Sequence, residues 1–180
     1  MMVRFRKIVE EDLGLIMKWR MMPEITKFMY TDPKLTIAQQ HVWYNESVKN
    51  DRNYIRIINC DGVDIGLYSI TDIYKGMNCF WAYYIADLSF QGKGLGTILE
   101  CNNYDFAFDV LEVHKVSCEV LSFNKRVIEI HQKFGSKIEG IFKEHILKNN
   151  EYLDIVRMAI LKNEWYKIRE NFEYDICQFE

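Results

Sequence analysis

The stretch Ile85-Ala86-Asp87-Leu88-Ser89-Phe90-Gln91-Gly92-Lys93-Gly94-Leu95-Gly96-Thr97-Ile98-Leu99 decides how this chain is read. An aromatic, β-favouring run over Phe80–Ile85 ends there, a loop passes from Gln91 to Gly96, and a long helical pattern over Gly94–Val110 begins. Glycine takes backbone torsions that other residues resist and lets a ligand come close to the main chain. The N–H groups that open a helix lack partners and lie at the positive end of its dipole, so the segment has the makings of a pyrophosphate site. Lys93 adds a positive charge at its rim. A dinucleotide fold wants G-x-G-x-x-G after a first parallel strand; here G-x-G-x-G lies mid-chain. A P-loop wants G-K-[ST], and Gly96-Thr97 follows no lysine. A plain glycine-rich turn is the remaining alternative, but a turn needs neither three alternating glycines nor the amphipathic helix behind them.

Outward from this loop, periodicity predicts the remaining elements. Strands are expected at 3–9, Asn53–Asn59, Val63–Asp72, Phe80–Ile85, Lys115–Val120, 137–148 and 152–161. Cys60-Asp61-Gly62 and Asn149-Asn150 supply two turns between them. Helices are expected at Glu11–Arg20, from Thr36 with Gln39 completing a capping box, at Gly94–Val110, and at Lys125–Phe134 stopped by Gly135. Met21–Pro33 reads as an irregular connection and the tail from Asn163 as helical. Antiparallel strands come first and strand–helix alternation follows, so the class is α+β, or mixed α/β, around one central sheet of about seven mostly antiparallel strands.

The 180 residues, 49% hydrophobic and 27% charged, suit a single domain over 1–180. A net charge of −3 gives none of the basic footprint of a nucleic-acid binder. Cys60, Cys79, Cys101, Cys118 and Cys177 are odd in number, scattered and free of any C-x-x-C, so reduced buried thiols in a cytoplasmic protein are expected, with no metal. The N-terminus lacks the apolar core of a signal peptide, and no apolar run has membrane-spanning length.

Gln91-x-x-Gly94-x-Gly96 after an aromatic strand resembles the coenzyme-A-binding motif of the Gcn5-related N-acetyltransferases. Asn124-Lys125-Arg126-Val127-Ile128-Glu129-Ile130-His131-Gln132-Lys133-Phe134-Gly135 is similar to that family's N-x-x-A-x-x-x-Y-x-K-x-G-F segment. The resemblance covers nearly the whole chain. It implies acetyl-coenzyme A as cosubstrate and a splayed pair of parallel strands, the fourth and fifth of the sheet. It also implies a cofactor site made by Tyr84, Ile85, Gln91, Gly92, Lys93, Gly94, Leu95, Gly96, Asn124 and Lys133. Such enzymes often pair through edge strands or terminal elements, so a homodimer is expected.

Acetyl transfer to an amine needs a proton acceptor for the amine, a hydrogen-bond donor for the thioester oxygen, and a proton for the departing thiolate. A backbone N–H near Tyr84–Ile85 suits the second task. Glu119, on the second splayed strand, is the expected base, directly or through water; alternatively it is an exposed strand carboxylate. His131 stands where the family places its acid tyrosine; an imidazole with a pKa near ~6.5 can replace the phenol, or it packs on the helix face. Ser69 is expected beside the cleft to steer a proton relay or a hydroxyl, and transfer is direct, without an acyl-enzyme.

Lys18-Trp19-Arg20, Phe28-Met29-Tyr30-Thr31 and Gln40-His41-Val42-Trp43 resemble a narrower group, the nucleotide-sugar N-acetyltransferases of pseudaminic acid synthesis. Met21 departs from that group, which usually has Asn after the arginine. The resemblance implies acetylation of the 4-amino group of UDP-4-amino-4,6-dideoxy-N-acetyl-β-L-altrosamine. Arg20, Met29, Tyr30, His41, Trp43, Thr71, Phe80 and Tyr84 would contact that acceptor. Arg20 offers a donor fork for a diphosphate, and Met29, Tyr30 and Trp43 offer soft, flat surfaces. Individually these residues also suit a core. A peptide N-terminus, a polyamine or an aminoglycoside are alternative acceptors, though the last two call for a densely acidic cleft. A non-catalytic coenzyme-A-binding module is the alternative from another class.

Overall fold

Strand β1 (Val3–Arg6) alternates buried Val3 and Phe5 with half-buried Arg4 and Arg6, the period-two pattern of a strand with one face on the core. The computed structural model describes residues 1–90 and 92–180. Its strands lie in the order β6-β7-β5-β4-β3-β2-β1-β8, in a mixed eight-stranded sheet flanked by helices.

One compact unit comprises residues 1–72, 81–95 and 175–180. In it β1 pairs antiparallel with β2 (Tyr54–Cys60), and β2 with β3 (Val63–Thr71) across the Asp61-Gly62 turn, where both residues have positive φ. Helix α1 (Leu13–Arg20) buries Leu13, Ile16 and Trp19 at helical spacing, against Ile8, Ile55 and Ile57. The expected first strand is shorter than 3–9: Asp12 accepts from the Val9 amide at 2.9 Å and turns the chain into α1. The connection after α1 is not wholly irregular. It contains the single turn α2 (Pro23–Thr26), which has the preset φ of proline in its first turn. Helix α3 (Ile37–Trp43) opens on the expected capping box, with the Thr36 amide donating to Gln39 Oε1 at 2.9 Å.

The other unit comprises residues 73–80 and 96–174. Here β4 (Asn78–Ile85) makes a parallel ladder with β5 (Lys115–Leu121) over three pairs, Asn78↔Lys115 to Phe80↔Ser117. Both strands continue in sequence beyond that ladder. Strand β5 pairs antiparallel with β7 (Glu151–Leu161) along its whole length, and β7 with β6 (Lys137–Lys148). Strand β6 lies at the edge, with two register shifts, a positive φ at Glu144, and Ile138, Ile141, Phe142 and Leu147 exposed. Helix α4 (Leu95–Asp105) runs into a wider turn over Phe106–Val110, and α5 (Lys125–Lys133) stops before Gly135 at φ 94°.

The tail differs from the expected helix. Helix α6 (Lys162–Ile168) is short, and the chain later forms β8 (Gln178–Phe179), parallel to β1, because Phe179 packs on Phe5 with ring centroids 4.6 Å apart. This is the eighth strand, one more than periodicity reveals.

At Gly66 on β3, a Cβ would lie 2.0 Å from the Tyr84 carbonyl oxygen and 3.1 Å from the Ile85 Cα. Just beyond, the Ala86 and Asp87 amides both donate to the Ile65 carbonyl, at 2.7 and 3.1 Å, which bends β4 away from a regular ladder in the manner of a bulge. Gly66→Ala forces backbone apart rather than a side chain aside. It is expected to cost about 3 kcal/mol, read as a lower urea midpoint at unchanged slope.

Candidate active site

The glycine loop has the geometry that its sequence suggests. Gly92 and Gly94 adopt φ of 77° and 81°, and a Cβ at Gly92, Gly94 or Gly96 would meet nothing within 4 Å. Open main chain therefore leads into α4, whose first-turn amides face a site suited to an anion. Buried Leu95 anchors the helix start, while Lys93 stays exposed, its ammonium 5.1 Å from the Phe90 ring centroid. These residues fit a pyrophosphate. Gln91 lies outside the described residues.

A cavity of about 390 Å³ lies within the unit formed by residues 1–72, 81–95 and 175–180. Its wall brings together five of the expected side chains: Arg20 from the end of α1, Met29, Trp43 from α3, Ser69 from β3 and Tyr84 from β4. Arg20 is held by Thr31, donating to its hydroxyl at 2.9 Å and its carbonyl at 3.3 Å. Burial draws the Arg20 pKa down, opposed by Tyr84 and Asp32. The Ser69 hydroxyl donates to the Ala82 carbonyl at 3.2 Å. Burial pushes the Tyr84 phenol well above its ordinary pKa, so it remains protonated. No carboxylate belongs to this wall among the described residues.

Tyr30, His41 and Thr71 are not part of that wall. The reason is clearest for His41. On α3 the positions that line the cavity are Gln39, Gln40 and Trp43, so His41 is turned off that face and is exposed.

In the other unit, Glu119 is half-buried on β5 and accepts from Arg157 Nη1 of β7 at 2.9 Å. The guanidinium carbon of Arg157 stands 4.0 Å from the centroid of the Phe80 ring. Phe80 therefore lies with the Glu119–Arg157 pair and does not line the cavity. Arg157 escaped the sequence reading; its only signal was its place in the strand that pairs with β5. Asn124 opens α5 with its carbonyl, which accepts from Val127 and Ile128, and Lys133 is exposed in the last turn.

His131 occupies a different setting from the one expected of an acid at the sulfur. It is buried, with Nδ1 2.7 Å from Oε1 of Glu100 on α4. Tyr104 donates to Glu100 Oε2 at 2.8 Å and lies 2.9 Å from the Ser136 hydroxyl. Burial works to lower the His131 pKa, but Glu100 and Cys118 outweigh it and hold the imidazole well above its usual value. The result is an enclosed imidazolium–carboxylate pair that ties α5 to α4. All five cysteines are buried and none is in a disulfide, and no group of three metal-binding side chains occurs among the described residues. No helix among the described residues is long and apolar enough to cross a membrane.

Residues 3–137 match the sequence profile described as the acetyltransferase (GNAT) domain. The chain is 23% identical to the spermidine N(1)-acetyltransferase of Escherichia coli K12, over 91% of this chain and 88% of that protein. It is 27% identical to acetyltransferase PseH of Campylobacter jejuni, over 72% of this chain and 79% of that protein. Among solved structures it resembles the spermidine N-acetyltransferase of Vibrio cholerae in complex with CoA and spermine. The TM-score there is 0.83 at 22% identity, covering 91% of this chain and 98% of the other. A dodecameric form of that protein gives a TM-score of 0.75.

The buried pair yields a test. A histidine whose folded pKa is raised adds stability that is complete below its unfolded pKa of ~6.5 and is lost as pH rises through the folded value. Glu100→Gln removes the charge that raises it and leaves burial, which lowers it. The His131 imidazole signal in NMR titration is expected to move from protonated to neutral at pH 7. The variant is expected to lose about 3 kcal/mol there, with the gap from wild type narrowing at alkaline pH. An unmoved titration would show that Glu100 does not control His131.

Proposed function

The chain belongs to the acetyltransferase (GNAT) domain family, and on that premise we propose that the amine it acetylates is carried by a nucleotide sugar. As a member of that family it is an N-acetyltransferase whose cosubstrate is acetyl-coenzyme A. The acceptor assigned here is the 4-amino group of UDP-4-amino-4,6-dideoxy-N-acetyl-β-L-altrosamine.

One observation carries this reading. The cavity wall holds a guanidinium, a tryptophan and a methionine, and among the described residues no carboxylate. A polyamine has two or more ammonium groups, and each needs a counter-charge when it leaves water. Arg20 opposes such a ligand, whereas a diphosphate gains a planar donor fork from it. Trp43 offers a flat face for a base and Met29 an adaptable one for a deoxysugar methyl group. The likeness of Lys18–Arg20, Phe28–Thr31 and Gln40–Trp43 to the nucleotide-sugar group supports the same acceptor, as does the similarity to acetyltransferase PseH. The spermidine enzymes among the relatives make a polyamine the reading to test it against.

Acetyl-coenzyme A supplies the acetyl group as a thioester, which the free amine attacks directly, the C–S bond pair leaving on sulfur. Glu119 takes the proton that the amine gives up, and Arg157, donating to it at 2.9 Å, holds the carboxylate in place. Amides of the loop from Gly92 to Gly96 receive the diphosphate of the carrier, with Lys93 at the rim. His131, with Nδ1 2.7 Å from Glu100, positions α5 against α4.

A thiol-release assay separates the acceptors. The kcat/KM for the UDP-4-amino sugar is expected to exceed that for spermidine or a peptide N-terminus by at least ~100-fold, or about 2.7 kcal/mol in the transition state. Preference for spermidine would overturn the reading. Glu119→Gln is expected to lower kcat by roughly 10² or more while acetyl-coenzyme A binding stays intact; an unchanged rate would remove the base role.

A further inference from the structure

Two residues of the cavity wall each carry a buried polar atom with no hydrogen-bond partner among the described residues: the side-chain carbonyl oxygen of Gln40 and the hydroxyl of Tyr84. Both are buried, and Gln40 is only 5% exposed. A buried polar group left unpaired destabilises a fold, so two of them on one apolar cavity mark a place built for a ligand's polar atoms. The neighbouring polar groups are already engaged. Gln39 closes the capping box with Thr36, and Ser69 donates to the Ala82 carbonyl.

We infer that Gln40 is a specificity-determining residue of the acceptor site, where its side-chain carbonyl accepts a hydrogen bond from a neutral N–H flanked by a carbonyl. The inference rests on the nucleotide-sugar reading and adds to it what the site recognises. A neutral donor fits best, because no carboxylate lines the cavity among the described residues to compensate an ammonium. Gln40 carries an acceptor and the protonated Tyr84 phenol a donor, the complements of the N–H and the C=O that an amide or imide offers. Two parts of such an acceptor have this chemistry: the acetamido group on the sugar ring and the imide of a pyrimidine base.

The experiment measures binding by titration calorimetry for wild-type protein and Gln40→Leu with three probes. UDP-N-acetylglucosamine carries both groups, UDP only the imide, and N-acetylglucosamine only the acetamido group. Thermal midpoints and acetyl-coenzyme A affinity report folding, and Gln40→Met replaces Gln40→Leu if the latter unfolds. The expected result is a loss of at least tenfold in affinity for UDP-N-acetylglucosamine with a thermal midpoint equal to or above wild type. The same loss for UDP alone assigns the imide, and for N-acetylglucosamine alone the acetamido group. If wild type binds these probes and both variants bind them within twofold, the role of Gln40 is overturned while the nucleotide-sugar reading stands. If wild type binds none of them, that reading falls and this inference with it.

Discussion

The closest constraint in the fold is main chain against main chain: at Gly66 there is no room for a single carbon atom before the Tyr84 carbonyl. That approach fixes β4 at the residue whose phenol enters the cavity, and it comes just before the two amides that converge on Ile65. From there the chain leaves the sheet and passes into the glycine loop. Position of the cavity wall at Tyr84 and entry to the glycine loop are therefore set by one glycine on a neighbouring strand.

In the second unit the corresponding device is polar. Glu100, Tyr104, Ser136 and His131 are all buried and linked, and they join α4 to α5 and to the start of β6. Apolar packing alone would hold two helices together but leave their relative sliding soft. A charged pair in a dry interior is unforgiving of displacement, since either partner left alone is strongly penalised. Both helices follow segments that the family resemblance gives to the coenzyme, the glycine loop before α4 and Asn124 before α5.

What could be read from the sequence was local. The glycine run, the Thr36–Gln39 box, the Asp61-Gly62 and Asn149-Asn150 turns and the Gly135 stop each depend on residues adjacent along the chain, and each stands where expected. What escaped depends on partners far apart. Arg157 meets Glu119 across 38 positions, and β8 exists because Phe179 finds Phe5 at the other end of the chain. The choice of His41 over Gln40 shows a third limit. On a short helix an error of one residue in phase, 100° of rotation, exchanges the face on the cavity for the face on solvent.

Edge strand β6 has a consequence beyond catalysis. A long, regular border of unpaired amides and carbonyls invites another strand to add itself without end. Here the alignment with β7 breaks twice and Glu144 takes a left-handed turn, so a visiting backbone would fall out of step within a few residues. Association at this border has to be made by side chains such as Ile141, Phe142 and Leu147, which choose their counterpart, and growth into fibres is discouraged by the same irregularity.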